Sequence, residues 1–290
     1  MSSLAGTSSR YRRRKFVNGV MTVLAYACTV AAILPLTWII IYVIIKGAGA
    51  WNSEFFTELP RLYGGGGGVR NGIFGTLEIV GLATLMGVPV GVMAGIYLAE
   101  YGDNRLGSLI RFMADTLTGI PSIVVGLFAF GIVVASTGGF SAFAGAVALA
   151  ILMIPVITRT SEEIIRLVPA SLREASLGLG VPRWKTIMRV VVPTALSGIV
   201  TGVLLAVARV AGETAPLILT ILGTNFSISP NIFNGPSTTL SLQIYQLGGQ
   251  PSPQVVEVAW GAALLLVLIV LGTSIAARLI FRGQGISGRG

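Results

Sequence analysis

Along this chain apolar residues come in long, nearly unbroken blocks, at neither the three-and-four spacing of a half-buried helix nor the alternation of a strand. The blocks run at roughly 16–45, 73–98, 110–136, 140–161, 191–222 and 255–280. A helix of about 20 apolar residues crosses the hydrocarbon core of a bilayer. Each block meets that length, so the pattern predicts an all-α, polytopic membrane protein of about six transmembrane helices. The block from Phe16 to Ile45 is too long for the apolar core of a signal peptide and lacks a clear small-residue cleavage pattern, so it is expected to be an uncleaved first span.

Composition agrees with this pattern. Of 290 residues 53% are hydrophobic and 11% are charged, with a mean hydropathy of +0.84. A soluble domain carries roughly a quarter charged residues, so the lipid bilayer is the expected solvent. Histidine is absent and Cys28 is the only cysteine, which removes disulfides, Cys/His metal sites and histidine-dependent catalysis. No metal site, bound cofactor or catalytic residue is expected, and Cys28, within an apolar run, reads as a packing residue.

The net charge of +9 would suit nucleic acid, but the basic residues lie beside the apolar blocks. Arg10, Arg12, Arg13, Arg14 and Lys15 precede the first block, six Lys or Arg fall in 159–189, two in 99–112, and Arg278, Arg282 and Arg289 close the chain. The alternate connections hold only Lys46, Arg61 and Arg70. By the positive-inside rule both termini face the cytoplasm, which requires an even number of spans. The expected layout is a basic tail over 1–15 and a transmembrane domain over 16–290. Its external loops are 46–72 and 223–254, and its cytoplasmic loop is 162–190.

Gly64 to Gly68 stand consecutively in the first external loop and predict a flexible segment. No strand precedes them, no Gly-Lys-Ser/Thr follows, and the chain has no P-loop, so ATP would be used by another subunit. Pro35, Pro89, Pro121, Pro155 and Pro216 fall within the apolar blocks. Membrane helices tolerate such interruptions, so the prolines alone discriminate little.

Charges inside the blocks are the candidate chemistry, since each one near the middle of a span costs from about 2.5 kcal/mol upward. Arg209 and Glu213 are spaced i, i+4 and can pair on one helical face, with Pro216 freeing the Gly212 carbonyl beside them. Arginine suits a tetrahedral oxyanion because its planar fork donates two parallel hydrogen bonds. The pair reads equally as an anion station or as a structural staple. Arg159 ends the fourth block, where an arginine reaching the interface is unremarkable. Glu78 and Asp115 are expected in the first turns of their spans, where the helix dipole favours a negative charge.

The cytoplasmic loop carries the most specific pattern. It reads Glu174-Ala175-Ser176, three residues, Gly180, nine residues, then Val190-Val191-Val192-Pro193, and looks helical in two pieces. This resembles the Glu-Ala-Ala, Gly, Ile-x-Leu-Pro loop of the membrane subunits of ABC importers, with Ser for Ala and Val for Ile and Leu. The segments at 75–101, 114–128 and 237–247, and above all Gly212-Glu213-Thr214-Ala215-Pro216-Leu217, resemble the PstA family of phosphate permease subunits. The resemblance covers nearly the whole chain beyond the tail; the glycine run stands outside it.

That resemblance implies a MetI-like permease fold in a bacterial cytoplasmic membrane and import of inorganic phosphate. It implies a coupling helix near 170–182, an anion-path role for Arg209 and Glu213, and a second pathway arginine at Arg159. It further implies a homologous second permease, two ATP-binding subunits and an extracytoplasmic phosphate-binding protein as partners. Other oxyanions, sulfate or molybdate, carry similar charge and stay open. A gradient-driven secondary transporter is a poorer fit, because no internal repeat is visible.

Overall fold

The computed structural model describes residues 3–61, 66–224 and 231–281. Gly64, Gly65, residues 225–230 of the second external loop, Arg282 and Arg289 lie outside the described residues, as does the side chain of Arg278. The described chain is helical: α1 (Ser3–Gly47), α2 (Ser53–Thr57), α3 (Arg70–Glu100), α4 (Arg105–Gly119), α5 (Ser122–Thr137), α6 (Ala142–Arg166), α7 (Ala170–Gly178), α8 (Arg183–Ala211), α9 (Ala215–Thr220), α10 (Leu240–Gly248) and α11 (Pro253–Phe281). Among the described residues β pairing is limited to two isolated bridges, Pro60 with Gly67 and Leu222 with Ser237. Five helices are long and apolar enough to cross a membrane, and α4 with α5 makes a sixth when the bent pair is taken as one span.

The centre of the bundle is a parallel contact between α3 and α6. Gly87, Gly91 and Gly95 recur every fourth residue and so form one face of α3. A Cβ on Gly91 would stand 2.8 Å from that of Ile157, and one on Gly95 only 2.5 Å from that of Ser161. Small residues let the two backbones approach where lipid supplies no hydrophobic drive for association. Around this seam Ile79, Leu149, Met153, Ile157, Leu217 and Ile221 form the main core. Helix α8 returns antiparallel, with Gly198 against Ile164 and Gly202 against Thr160.

Two expected continuous spans are broken, and in both the sequence carries the cause. The block at 110–136 bends by 106° between α4 and α5. Pro121 disfavours the helical region for the residue before it, and Ile120 is extended at ψ 134°. The block at 191–222 ends as α8 at Ala211 and resumes as α9 at Ala215. Pro216 sits in the first turn of α9, where a missing N–H removes no intrahelical bond. At the other end α8 begins at Arg183, earlier than the apolar pattern suggests, and passes through a π turn at Ile187–Val191.

The external segments hold more structure than expected. Gly66–Gly68, the described part of the glycine run, lie against the α2 segment: Gly68 N–H donates to the Leu59 carbonyl and Val69 N–H to that of Phe55. Gly67 has φ +74°, and a Cβ there would lie 2.6 Å from the Arg61 nitrogen. The segment 223–254 includes α10, capped by Thr239 and buried at Leu240, Leu242, Gln243 and Leu247. By contrast α1 stands away from the bundle until its last turns, where Gly47 meets Trp260 and Leu264. Cys28 is exposed on α1 rather than packed.

Candidate functional site

The break after α8 places the first pair of candidates. Gly212 caps the helix, its N–H donating to the Arg209 carbonyl at 3.2 Å, and Glu213 N–H donates to Val210 at 3.1 Å. Glu213 therefore follows the helix end instead of sitting one turn above Arg209. The expected i, i+4 ion pair is absent among the described residues. Arg209 is exposed and Glu213 half-buried. The Gly212 carbonyl is not freed by a proline within a continuous helix, because the helix has already ended. Instead the break is tied to the α10 cap: Ser241 Oγ donates to the Glu213 carbonyl at 2.9 Å and Thr214 Oγ1 to the Ser241 carbonyl at 3.3 Å. Gly212 also lines an apolar cleft with Leu266, Val270 and Ser274, the middle turns of α11. Arg209 thus sits at the level of the transmembrane helices, where a charge normally faces water or protein.

Arg159, by contrast, is paired with two carboxylates. Its Nε lies 3.0 Å from Asp115 Oδ1 and its Nη1 2.8 Å from Glu162 Oε2. The Glu162 side chain, 3% exposed, also takes Arg111 Nε at 2.7 Å and Arg166 Nη2 at 3.0 Å on its other oxygen. Three arginines and two carboxylates leave one net positive charge in the cluster. The burial of this side chain is compensated by the hydrogen-bonded cations around it. Asp115 lies in the third turn of α4, not the first, so its partner is an arginine rather than the helix dipole. Glu78 likewise falls in the third turn of α3, half-buried and without an ion pair among the described residues.

A second knot adjoins the first. Arg173 on α7 donates Nε and Nη2 to Glu100 Oε1 at 3.0 and 2.8 Å, and its Nη1 to the Val168 carbonyl at 2.6 Å. Arg183 at the start of α8 donates to the Glu100 carbonyl and stacks over the Tyr101 ring at 4.7 Å. Arg111 reaches the Leu98 and Gly102 carbonyls at 2.9 and 3.1 Å. The unpaired carbonyls at the end of α3 are thus covered by arginines, as the helix dipole favours. Sequence reasoning singled out none of Glu100, Arg111, Glu162, Arg166, Arg173 and Arg183. Part of the signal was present, since Arg159, Glu162 and Arg166 are spaced for one helical face.

In the loop motif, Glu174 and Ala175 are exposed on α7, whereas Ser176 is turned inward, its hydroxyl 2.9 Å from that of Thr186. Gly180 adopts φ +79° and makes the turn out of α7. Leu177, Leu179, Trp184 and Met188 are exposed apolar neighbours. Pro193 follows the π turn of α8, a place where a helix absorbs a missing N–H. Among the described residues no three His, Cys, Asp or Glu are grouped to hold a metal.

Residues 87–284 match the family described as binding-protein-dependent transport system inner membrane component. The chain is 43% identical over 275 residues to the phosphate transport system permease protein PstA 1 of Mycobacterium tuberculosis (strain CDC 1551 / Oshkosh), covering 92% of this chain and 90% of that one. It is 42% identical over 274 residues to the PstA protein of Haemophilus influenzae, covering 94% and 96%. Among solved structures it resembles a chain of the inward-facing MetNI methionine ABC transporter, with TM-score 0.62 and 21% identity over 73% of this chain and 94% of that one. It also resembles a chain of a bacterial alginate ABC transporter bound to its periplasmic protein, with TM-score 0.66 and 15% identity over 96% and 98%. These last two likenesses concern the fold.

Proposed function

This chain belongs to the PstA family of phosphate transport system permease proteins, and from that premise we propose the role of its parts in an importer. It is a membrane-spanning subunit of an ABC importer of inorganic phosphate. The observation that carries this is the 43% identity to a phosphate permease across 92% of the chain. No observation favours sulfate, molybdate or a gradient-driven carrier.

In the assembled transporter this chain pairs with a homologous permease, binds ATP-hydrolysing subunits from the cytoplasm, and receives phosphate from an extracytoplasmic binding protein. The arginine-rich end bearing α7 faces the cytoplasm, with both chain termini, as the distribution of Lys and Arg requires. Exposed Glu174 and Ala175 with the turn at Gly180 form the docking edge for the ATPase, beside exposed Leu177 and Leu179.

Arg209 is the anion station. Its guanidinium is exposed and has no ion-pair partner among the described residues, in a helix long and apolar enough to cross a membrane, where an uncompensated charge is costly. Phosphate supplies the compensation through a fork-to-oxyanion contact. Glu213, set off the helix by the break, lowers the net positive field and keeps the anion from binding too tightly. Arg159 stands at the cytoplasmic end of the path.

Phosphate uptake in cells carrying Arg209→Gln tests the assignment. Uptake is expected to fall at normal membrane insertion, and unchanged uptake removes Arg209 from the path.

A further inference from the structure

The two knots of charge at the arginine-rich end share one element, the last turn of α3. Arg173 grips Glu100, the final residue of that helix, through a two-pronged contact to one oxygen. Arg111 grips the same helix end by the Leu98 and Gly102 carbonyls and puts its Nε on Glu162. Glu162 holds Arg159 with its other oxygen. Side-chain contacts of 3.1 Å or less therefore run from α7 to the end of α3 at Glu100, and from the neighbouring Leu98 and Gly102 carbonyls through Arg111 and Glu162 to Arg159, the two sets joined by the backbone of the α3 end.

The contacts differ in burial, and that sets where they give way. The side chains of Glu162 and Glu100 are 3% and 6% exposed, whereas that of Asp115 is 59% exposed. An exposed ion pair is worth far less than a buried one whose partner would be stranded by its loss. Asp115 and Arg111 both belong to α4, while Arg159 and Glu162 both belong to α6. A small shift of the α3 end, carried by Arg111 to α4, strains the Asp115–Arg159 contact first and keeps the Glu162 contacts.

We propose that Glu162 and Arg173 are positioning residues for transport: movement of α7 opens the Asp115–Arg159 pair through Arg173, Glu100, Arg111 and Glu162, and so presents the Nε edge of Arg159 to the anion. This rests on the readings of α7 as the segment that the ATPase moves and of Arg159 as a residue of the anion path. One net positive charge in the cluster suits the role. With Asp115 engaged the guanidinium is satisfied on two edges; with Asp115 withdrawn one edge is free for an oxyanion.

The test is phosphate imported per ATP hydrolysed by the full importer, purified with its partner subunits and reconstituted in vesicles with the phosphate-binding protein. Arg173→Gln is expected to lower that ratio about fivefold or more, the range of a typical coupling energy, while the ATPase co-purifies in normal proportion. Arg173→Lys keeps the charge but loses the fork, so it is expected to show a milder drop and carries the test if the Gln variant fails to insert. Asp115→Asn added to Arg173→Gln is expected to restore part of the lost ratio, since it frees the same edge of Arg159 that Arg173 acts to open. An unchanged ratio overturns the proposal, as do losses that multiply in the double variant. Loss of the ATPase from the Arg173 variants also overturns it, because Arg173 would then be a docking residue. Failure of the unsubstituted chain to retain an ATPase overturns instead the reading of α7 beneath it.

Discussion

Arg111 donates its Nε to Glu162 at 2.7 Å across 51 residues of sequence, and this buried contact ties α4 to α6 beside the more exposed Asp115–Arg159 pair. It joins the helix after the second span to the end of the fourth. Neither residue lies in the loop motif that identifies the family.

Glu162→Gln is expected to destabilise the chain by about 3–5 kcal/mol, the loss typical of breaking a buried charge cluster from one side. Asp115→Asn, at the exposed edge of the same cluster, is expected to change stability by no more than about 1 kcal/mol. Thermal melting in detergent, followed by loss of the monodisperse peak, separates the two. Equal shifts would mean that Glu162 is wetter than the structure places it.

The α3–α6 seam predicts a contrast among glycines. Gly91→Ala puts a Cβ 2.8 Å from that of Ile157, and overpacking of this kind costs about 1–3 kcal/mol. Gly81→Ala meets no neighbour within 4 Å and should be neutral or mildly stabilising. Yield and melting temperature of the two variants decide the matter; a tolerated Gly91→Leu would contradict the close approach.

Within the loop motif, neighbouring positions are expected to behave differently. Ser176→Ala removes a buried hydroxyl contact to Thr186 and should cost about 0.5–1.5 kcal/mol of stability with ATPase retention unchanged. Glu174→Ala and Leu179→Ala, on the exposed side, should leave melting alone and weaken co-purification of the ATPase. The reverse assignment would place the docking edge on another face of α7.

Where the spans break, Gly126→Val forces side-chain atoms against Pro216, whose Cα would stand 2.5 Å from the new Cβ. The α5–α9 crossing should separate, with reduced insertion or melting temperature and lowered uptake. Gly131→Ala, on the same span but in open space, is the control and should insert normally.

The helices were legible from the chain because lipid imposes a length and an apolarity on anything that crosses it. The loop motif from Glu174 to Pro193 was legible because its spacing is local, and Gly180 makes the turn between its two helical pieces at φ +79°. The breaks at Ile120–Pro121 and Gly212–Thr214 were only half legible. The prolines could be seen, but whether a membrane helix bends at a proline or accommodates it depends on the neighbours that re-satisfy its backbone.

What the sequence alone determined is therefore the membrane, about six passes and the family. Only the tertiary structure decided which charges meet. Arg209 and Glu213, four residues apart, stay apart because the helix ends between them, whereas Arg159 gains Asp115 from a helix 44 residues earlier. Local spacing is set by helical geometry and can be counted. Partnership across the bundle is set by which backbones approach closely, here along Gly87, Gly91 and Gly95, and that is a property of the packed fold.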